Sequence, residues 1–267
     1  MIIIGEKINA TRKAVKPMIL ERRADELIDL ALQQTVAGAT YIDVNVGTGT
    51  GTQQDEIEAM QWAVSQVKSA VDKPISIDSA DAVVIKAGLE ACDGHSAMIN
   101  SVKAEEKYLG EVLPLAARYN VPVVSLAMDK DGIPRDTGGR LTACRMIAGH
   151  AEKHGVPMEH LYFDPLVLPI ATDGKQAMVT LNTLAAIKAH LPKAKTVLGL
   201  SNVSYGLPGR VDLNAAFLHM ALYAGLDAVI MDPLNSTMKR AVLTGEAVVG
   251  RDRHFRRYTR ALRKLAN

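Results

Sequence analysis

A single (β/α)8 barrel is the fold this sequence predicts, on three observations. Eight short apolar runs alternate with longer amphipathic segments, the length of 267 residues suits one such unit, and several of the runs stop on an aspartate or asparagine. Strands that alternate with helices pair in parallel through right-handed crossovers, and eight units close a cylinder of roughly 250 residues. An open doubly wound sheet is the alternative, because no local pattern shows that the last strand pairs with the first.

The expected strands, in order, are Ile2 to Gly5, Tyr41 to Val44, Pro74 to Ile77, Ala97 to Ile99, Val121 to Leu126, Leu161 to Phe163, Thr196 to Leu200 and Ala228 to Met231. Each is short, apolar and bounded by polar or turn-forming residues. Between them, "ERRADELIDLALQQTVAGA", "TQQDEIEAMQWAVSQVKSAV", "AEEKYLGEVLPLAARYN" and "DLNAAFLHMALYAGL" carry apolar residues at spacings of three and four, the helical period. Gly38, Gly88, Gly155 and Gly225 each follow a helical run and are expected to end it, since glycine tolerates the left-handed backbone of a helix C-terminus. No linker divides the chain, so residues 1–267 are expected to form one domain, with extra C-terminal helices over about 233–267.

Composition narrows the function little. A hydrophobic share of 48 % supports a sizeable core, and with aromatics at 4 % that core is aliphatic. A net charge of +2 gives no reason to expect nucleic-acid or membrane binding. Cys92 and Cys144 stand far apart in no paired motif, so neither a disulfide nor a cysteine metal site is expected and a reducing, cytoplasmic setting is. The opening apolar stretch is too brief for a signal peptide, and no later one is long enough to cross a bilayer.

The polar strand ends carry more information. Asp43 and Asn45 close "YIDVNVG", Asp78 closes "PISIDS", Asn100 lies in "AMINS", Asp164 in "LYFDP" and Asn202 follows "VLGL". Singly, each is explained as a cap for the next helix or loop. Collectively they place carboxylates and carboxamides at the carboxyl ends of barrel strands, where barrel enzymes bind ligands. Carboxylates accept hydrogen bonds and carboxamides both donate and accept, a set that suits a flat heterocycle with an amino-amidine edge.

The ordered motifs "IGEKIN", "YIDVNVG", "ISIDS", "MINS", "LAMDKDGIP", "LYFDPLVLP" and "TVLGLSNVSYGLPGR", running from about residue 2 to about residue 232, closely resemble those of the pterin-binding methyltransferases. The resemblance extends to the folate domain of cobalamin-dependent methionine synthase and, more distantly, to dihydropteroate synthase. It implies a TIM barrel, a homodimer, that moves a methyl group between tetrahydrofolate and the corrinoid of a partner protein. It also implies roles. Asp164 would grip the 2-amino group and N3 of the pterin, Asn100 and Asp78 the edge around N1, N8 and N5, and Asn202 would approach N5 itself. Glu6, Asn9, Gly199, Ser201 and Arg210 match further pocket positions, and Asp43 with Asn45 would support the ring from beneath. Met128 and Asp129, at a strand end, read equally well as ligand contacts or as loop and cap.

The implied chemistry needs no side-chain nucleophile. The methyl sits on a tertiary amine, and expelling the pterin becomes affordable only when N5 is protonated or strongly hydrogen-bonded as its bond to carbon breaks. Asn202, backed by Asp78 and Asp164, is the expected catalytic set. Two other readings stand beside it. A dihydropteroate synthase would need a phosphate-binding opening loop and a late lysine and arginine pair, which neither "EKINATRK" nor "GLSNVSYGLPGR" resembles; a non-catalytic folate-binding module would keep the pocket alone.

Weaker signals point elsewhere with less force. "VGTGTGTQQ" lacks the lysine of a phosphate-binding loop and reads as a mobile loop over the mouth. His150 and His154 are four apart but have no evident third ligand, so no metal is expected. The tail "GRDRHFRRYTRALRKLAN" carries seven basic side chains. With Phe255, Leu262 and Leu265 it suggests a helix packed on the barrel with a solvated basic face, one that could help dock an acidic corrinoid protein.

Overall fold

The computed structural model describes residues 1–266, with side chains described through Arg263. Eight parallel strands, β1 (Ile2–Asn9), β2 (Tyr41–Asn45), β3 (Ile75–Asp78), β4 (Ala97–Ala104), β5 (Val123–Asp129), β6 (Leu161–Asp164), β7 (Lys195–Gly199) and β8 (Ala228–Met231), form a closed barrel in sequence order. The helices are α1 (Lys16–Leu20), α2 (Ala24–Val36), α3 (Gln53–Ala70), α4 (Ala82–Cys92), α5 (Glu106–Tyr119), α6 (Thr137–Lys153), α7 (Gln176–His190), α8 (Arg210–Tyr223), α9 (Ser236–Val248) and α10 (Arg256–Ala266). Closure is direct: β1 pairs with β8 from Ile2 opposite Ala228 to Gly5 opposite Met231. The open doubly wound alternative is thereby excluded.

Period-two alternation builds two cores. Outward residues such as Ile42, Val44, Ile75, Ile77, Ile99, Val123 and Phe163 are buried with the helices, while the inward Ile4, Met98, Val124, Tyr162, Val197 and Ala228 form a separate cluster in the lumen. The acidic and amide side chains of the lumen lie where an inward position nears the open end.

The apolar runs underestimate the strands at that end. β1 continues to Asn9, β4 to Ala104 and β5 to Asp129, through register shifts after Gly5, Asn100 and Lys103. The polar "EKIN" and "NSVKA" hide these extensions because only single apolar residues, Ile8, Val102 and Ala104, reach the core between polar neighbours. In β1 the shift is held by Gln34 of α2, whose buried Oε1 accepts the Lys7 N–H at 3.0 Å. A Cβ on Gly5 would come within 2.5 Å of that oxygen.

Side-chain caps start four of the helices. Thr52 and Asp55 form a reciprocal capping box on α3, and Asp81, Asp136 and Asn235 cap α4, α6 and α9. Gly38, Gly155 and Gly225 adopt the positive φ expected of them. Gly88 does not: it lies inside α4, and the helix ends instead at Asp93 with left-handed φ of 46°. Gly88 is glycine because α4 crosses β3 closely there; a Cβ would sit 2.7 Å from Ile77 Cγ2 and 3.1 Å from Met60 Cγ. Gly88→Ala is expected to destabilise the chain by about 1–3 kcal/mol through overpacking, seen as a lower denaturant midpoint at unchanged slope.

The C-terminal segment also differs from expectation. α9 packs on α8 as the regular helix following β8, so only the residues after it extend the barrel. That extension is anchored at the face where the strands begin. The Met1 amino group and Arg257 both pair with buried Glu246, Arg251 donates to the Leu226 carbonyl, and Asp252 accepts the N–H groups of Arg257 and Tyr258 at 3.1 and 2.9 Å. Phe255 and Leu262 are 57 % and 43 % exposed rather than packed on the barrel, because Arg257 and Tyr258 supply the anchoring contacts instead. The Leu265 side chain lies outside the described residues.

Candidate functional site

The lumen positions next to the open end converge on one polar ring. Asn9, Asn45, Asp78 and Asn100 are consecutive register partners across β1 to β4. Asn45 Nδ2 donates to Asp78 Oδ2 at 2.9 Å, and one layer deeper Asn100 Nδ2 donates to Asp43 Oδ1 at 3.2 Å. On the far side Asp164 ends β6, beside Gly199 at the end of β7, and Asn202 stands in the 3-10 turn Leu200–Ser204 that follows. Asp164 and Asn202 therefore share a rim.

Burial sets the electrostatics. The carboxyl of Asp164 is pushed up to about 6 by desolvation, against hydrogen bonds from the backbone of Leu166 and Gly199 and the field of Arg140. Its Oδ1 takes the Leu166 N–H at 2.7 Å. Asp43 is raised well above the carboxylate range, first by burial and then by the neighbouring Asp78 charge; Asp78 is raised by burial, with the Asn45 bond opposing. Burial is the first cause in both acids, and the charge of Asp78 adds to it at Asp43. Glu6 is also raised by burial although Arg12 pairs with it at 2.7 Å.

Other expected pocket residues are partly occupied by their own loops. Asn9 Oδ1 accepts from the N–H and hydroxyl of Thr11 at 2.9 and 2.6 Å, so its carboxamide oxygen caps the turn after β1. Arg210, exposed at the start of α8, folds back on the Ser201 carbonyl at 2.7 Å and Ser204 Oγ at 3.1 Å. Gly199 leaves space beside Asn202, since a Cβ there would lie 3.6 Å from Asn202 Nδ2. Met128 follows Val124 and Leu126 at period two and is half-buried, while Asp129 Oδ1 caps its turn through the Asp131 N–H at 2.9 Å.

Two features escaped the sequence. Asp232, the residue after β8, pairs with Lys7 at 2.9 Å near Glu6; it obeys the same rule of an apolar run ending on aspartate and could have been found by it. Arg140 is fully buried beneath the loop after Asp164, and nothing in "GGRLTACR" marks it.

A barrel with this polar ring in its mouth belongs to the pterin-binding enzyme family, whose pattern residues 5–232 match. Over 266 residues the chain is 33 % identical to the methylcorrinoid:tetrahydrofolate methyltransferase of Eubacterium limosum, covering 99 % of this chain and 97 % of that protein. It is 31 % identical over 244 residues to the methionine synthase of Mycobacterium tuberculosis, covering 86 % of this chain but 20 % of that much longer protein. Among solved structures, dihydropteroate synthases of Stenotrophomonas maltophilia and Yersinia pestis superpose with TM-scores of 0.70 at 20 % and 18 % identity. These likenesses cover 92 % and 93 % of this chain, and 92 % and 94 % of theirs. At that identity the likeness is one of fold.

Proposed function

We propose that this chain is a methyltransferase that moves a methyl group between N5 of tetrahydrofolate and the cobalt of a corrinoid carried by a partner protein. The observation that carries the reading is likeness to a methylcorrinoid:tetrahydrofolate methyltransferase along nearly the whole of both chains. The ring in the mouth supports it. Asp164 is a buried carboxylate with one oxygen held by Leu166 and, among the described residues, no cation in contact, a group that a pterin's amino-amidine edge would satisfy.

In this reading the chain's own residues act on the folate. Asp164 binds the 2-amino group and N3, Asn100 and Asp78 take the rest of the pyrimidine and N5 side, and Asp43 with Asn45 fixes those two through the bonds described above. Asn202, exposed at the rim, stabilises the proton on N5 as the methyl leaves, with Asp78 and Asp164 setting the surrounding field. The corrinoid brings the cobalt that donates or accepts the methyl. Because one site serves both directions, the net flow follows from the free energies of the methyl donors.

The basic tail is assigned no part in this step. A corrinoid must reach the mouth at the strands' carboxyl ends, whereas α10 is anchored at the opposite face. Charge reversal of Arg256 and Arg260 to Glu is expected to leave the transfer rate and its salt dependence unchanged; a steeper or flattened salt slope would return the tail to the docking surface. The tetrahydrofolate reading is separated from a dihydropteroate synthase by assay, since the latter joins a pterin pyrophosphate to p-aminobenzoate and forms no methylcobalt.

A further inference from the structure

Arg140 heads the fully buried side chains among the described residues, and its guanidinium donates to neutral acceptors. Nε bonds the Pro134 carbonyl at 2.9 Å, Nη1 the carbonyls of Pro165 and Leu166 at 3.0 and 2.9 Å and Thr180 Oγ1 at 3.2 Å, and Nη2 bonds Gln176 Oε1 at 2.9 Å. Removing a cation from water without a contacting anion is costly, and a neutral residue would tie loops together more cheaply.

The position of two acceptors explains the expense. Pro165 and Leu166 immediately follow Asp164, and Leu166 is held at a φ of 65°, a left-handed conformation that costs a branched side chain on the order of 1 kcal/mol. In that conformation its carbonyl meets Arg140 while its N–H meets Asp164. One strained residue thus joins a buried cation to a buried anion.

We infer that Arg140 is a positioning residue for Asp164: it locks the Pro165–Leu166 turn that aims the carboxylate into the mouth, and it supplies the counter-charge from behind. This rests on the reading that Asp164 receives the pterin edge. The groups facing Asp164 leave Arg140 as the cation acting on it among the described residues. α6 contributes Arg140 and the Cys144 thiol, with Asp136 at its cap acting on Arg140, and α7 contributes neutral Gln176 and Thr180. β5 presents neutral Leu126 and β7 the Gly199 backbone, while Asp43 and Asp78 lie across the lumen.

Calorimetric titration of the whole protein with 5-methyltetrahydrofolate between about pH 5 and 8, with Arg140→Gln and Arg140→Lys beside the wild type, tests the role. Arg140→Gln loses charge and fork together, so affinity at neutral pH is expected to fall about tenfold and the acid midpoint of binding to rise by about half a unit or more. Arg140→Lys keeps the charge and loses the fork, so its affinity falls while its midpoint stays near the wild type's. Unchanged affinity in both variants overturns the role, as does a loss in Arg140→Gln that is uniform with pH. If Arg140→Gln does not fold, wild-type affinity in Arg140→Lys overturns it. A wild type that binds no reduced folate sinks the folate reading and this role with it, whereas tight wild-type binding with indifferent variants sinks the role alone.

Discussion

Asp164→Asn is expected to stabilise the ligand-free protein and to destroy its affinity for reduced folate. The folded chain holds the Asp164 carboxyl at about 6 against an ordinary 3.8. Between those values the folded state binds the proton more tightly than the unfolded one, so this group's contribution to stability falls as pH rises from about 4 to about 6, and stays low above. A gap of roughly two units corresponds to about 3 kcal/mol, of which a neutral carboxamide recovers about 1–3 kcal/mol after its own desolvation. Melting at neutral pH should therefore shift up by several degrees in the variant, with the gain disappearing as pH drops below about 4. Binding moves the other way. Two charge-assisted bonds to the pterin edge at roughly 1.5–3 kcal/mol each make a loss of about a hundredfold or more. In the wild type the same logic predicts that folate binding weakens as pH falls through about 6, where the carboxylate takes up its proton. A variant that melts lower and binds as before would refute both halves.

Asn202→Ala is expected to lower methyl transfer by about a hundredfold, the typical cost of removing one donor aimed at developing charge, and to weaken folate binding by a smaller factor. Stability should hardly change, since the side chain is exposed on a turn whose Tyr205 N–H is bonded to the residue's backbone oxygen at 3.1 Å rather than to its carboxamide. Single-turnover rates at saturating folate separate the two effects. Unaltered turnover there would remove Asn202 from the chemistry and shift attention to the buried pair of Asp43 and Asp78.

The barrel was legible because its core follows strict periods: eight apolar runs at strand length, helices at 3.6, and glycines at Gly38, Gly155 and Gly225 where the backbone turns left-handed. The ring was legible for the same reason, since an inward position at a strand's carboxyl end has only the mouth to face. What escaped obeys tertiary rather than local rules. Gly88 is set by a close helix-to-strand crossing, not by a helix end, and the far ends of β1 and β4 are set by register shifts that polar sequence conceals. Arg140 bonds carbonyls and side chains 6 to 40 residues away, none of which announces the others. The tail's anchorage depends on Met1 meeting Glu246, 245 residues apart.

A single-turnover reaction of the protein with 5-methyltetrahydrofolate and a cobalt(I) corrinoid, tried both free and on its co-purified carrier protein, tests the central claim. The corrinoid spectrum should convert to methylcobalt at a rate proportional to protein, with one tetrahydrofolate released per methyl transferred. Folate that binds tightly in the barrel mouth while neither form of the corrinoid is methylated would contradict it.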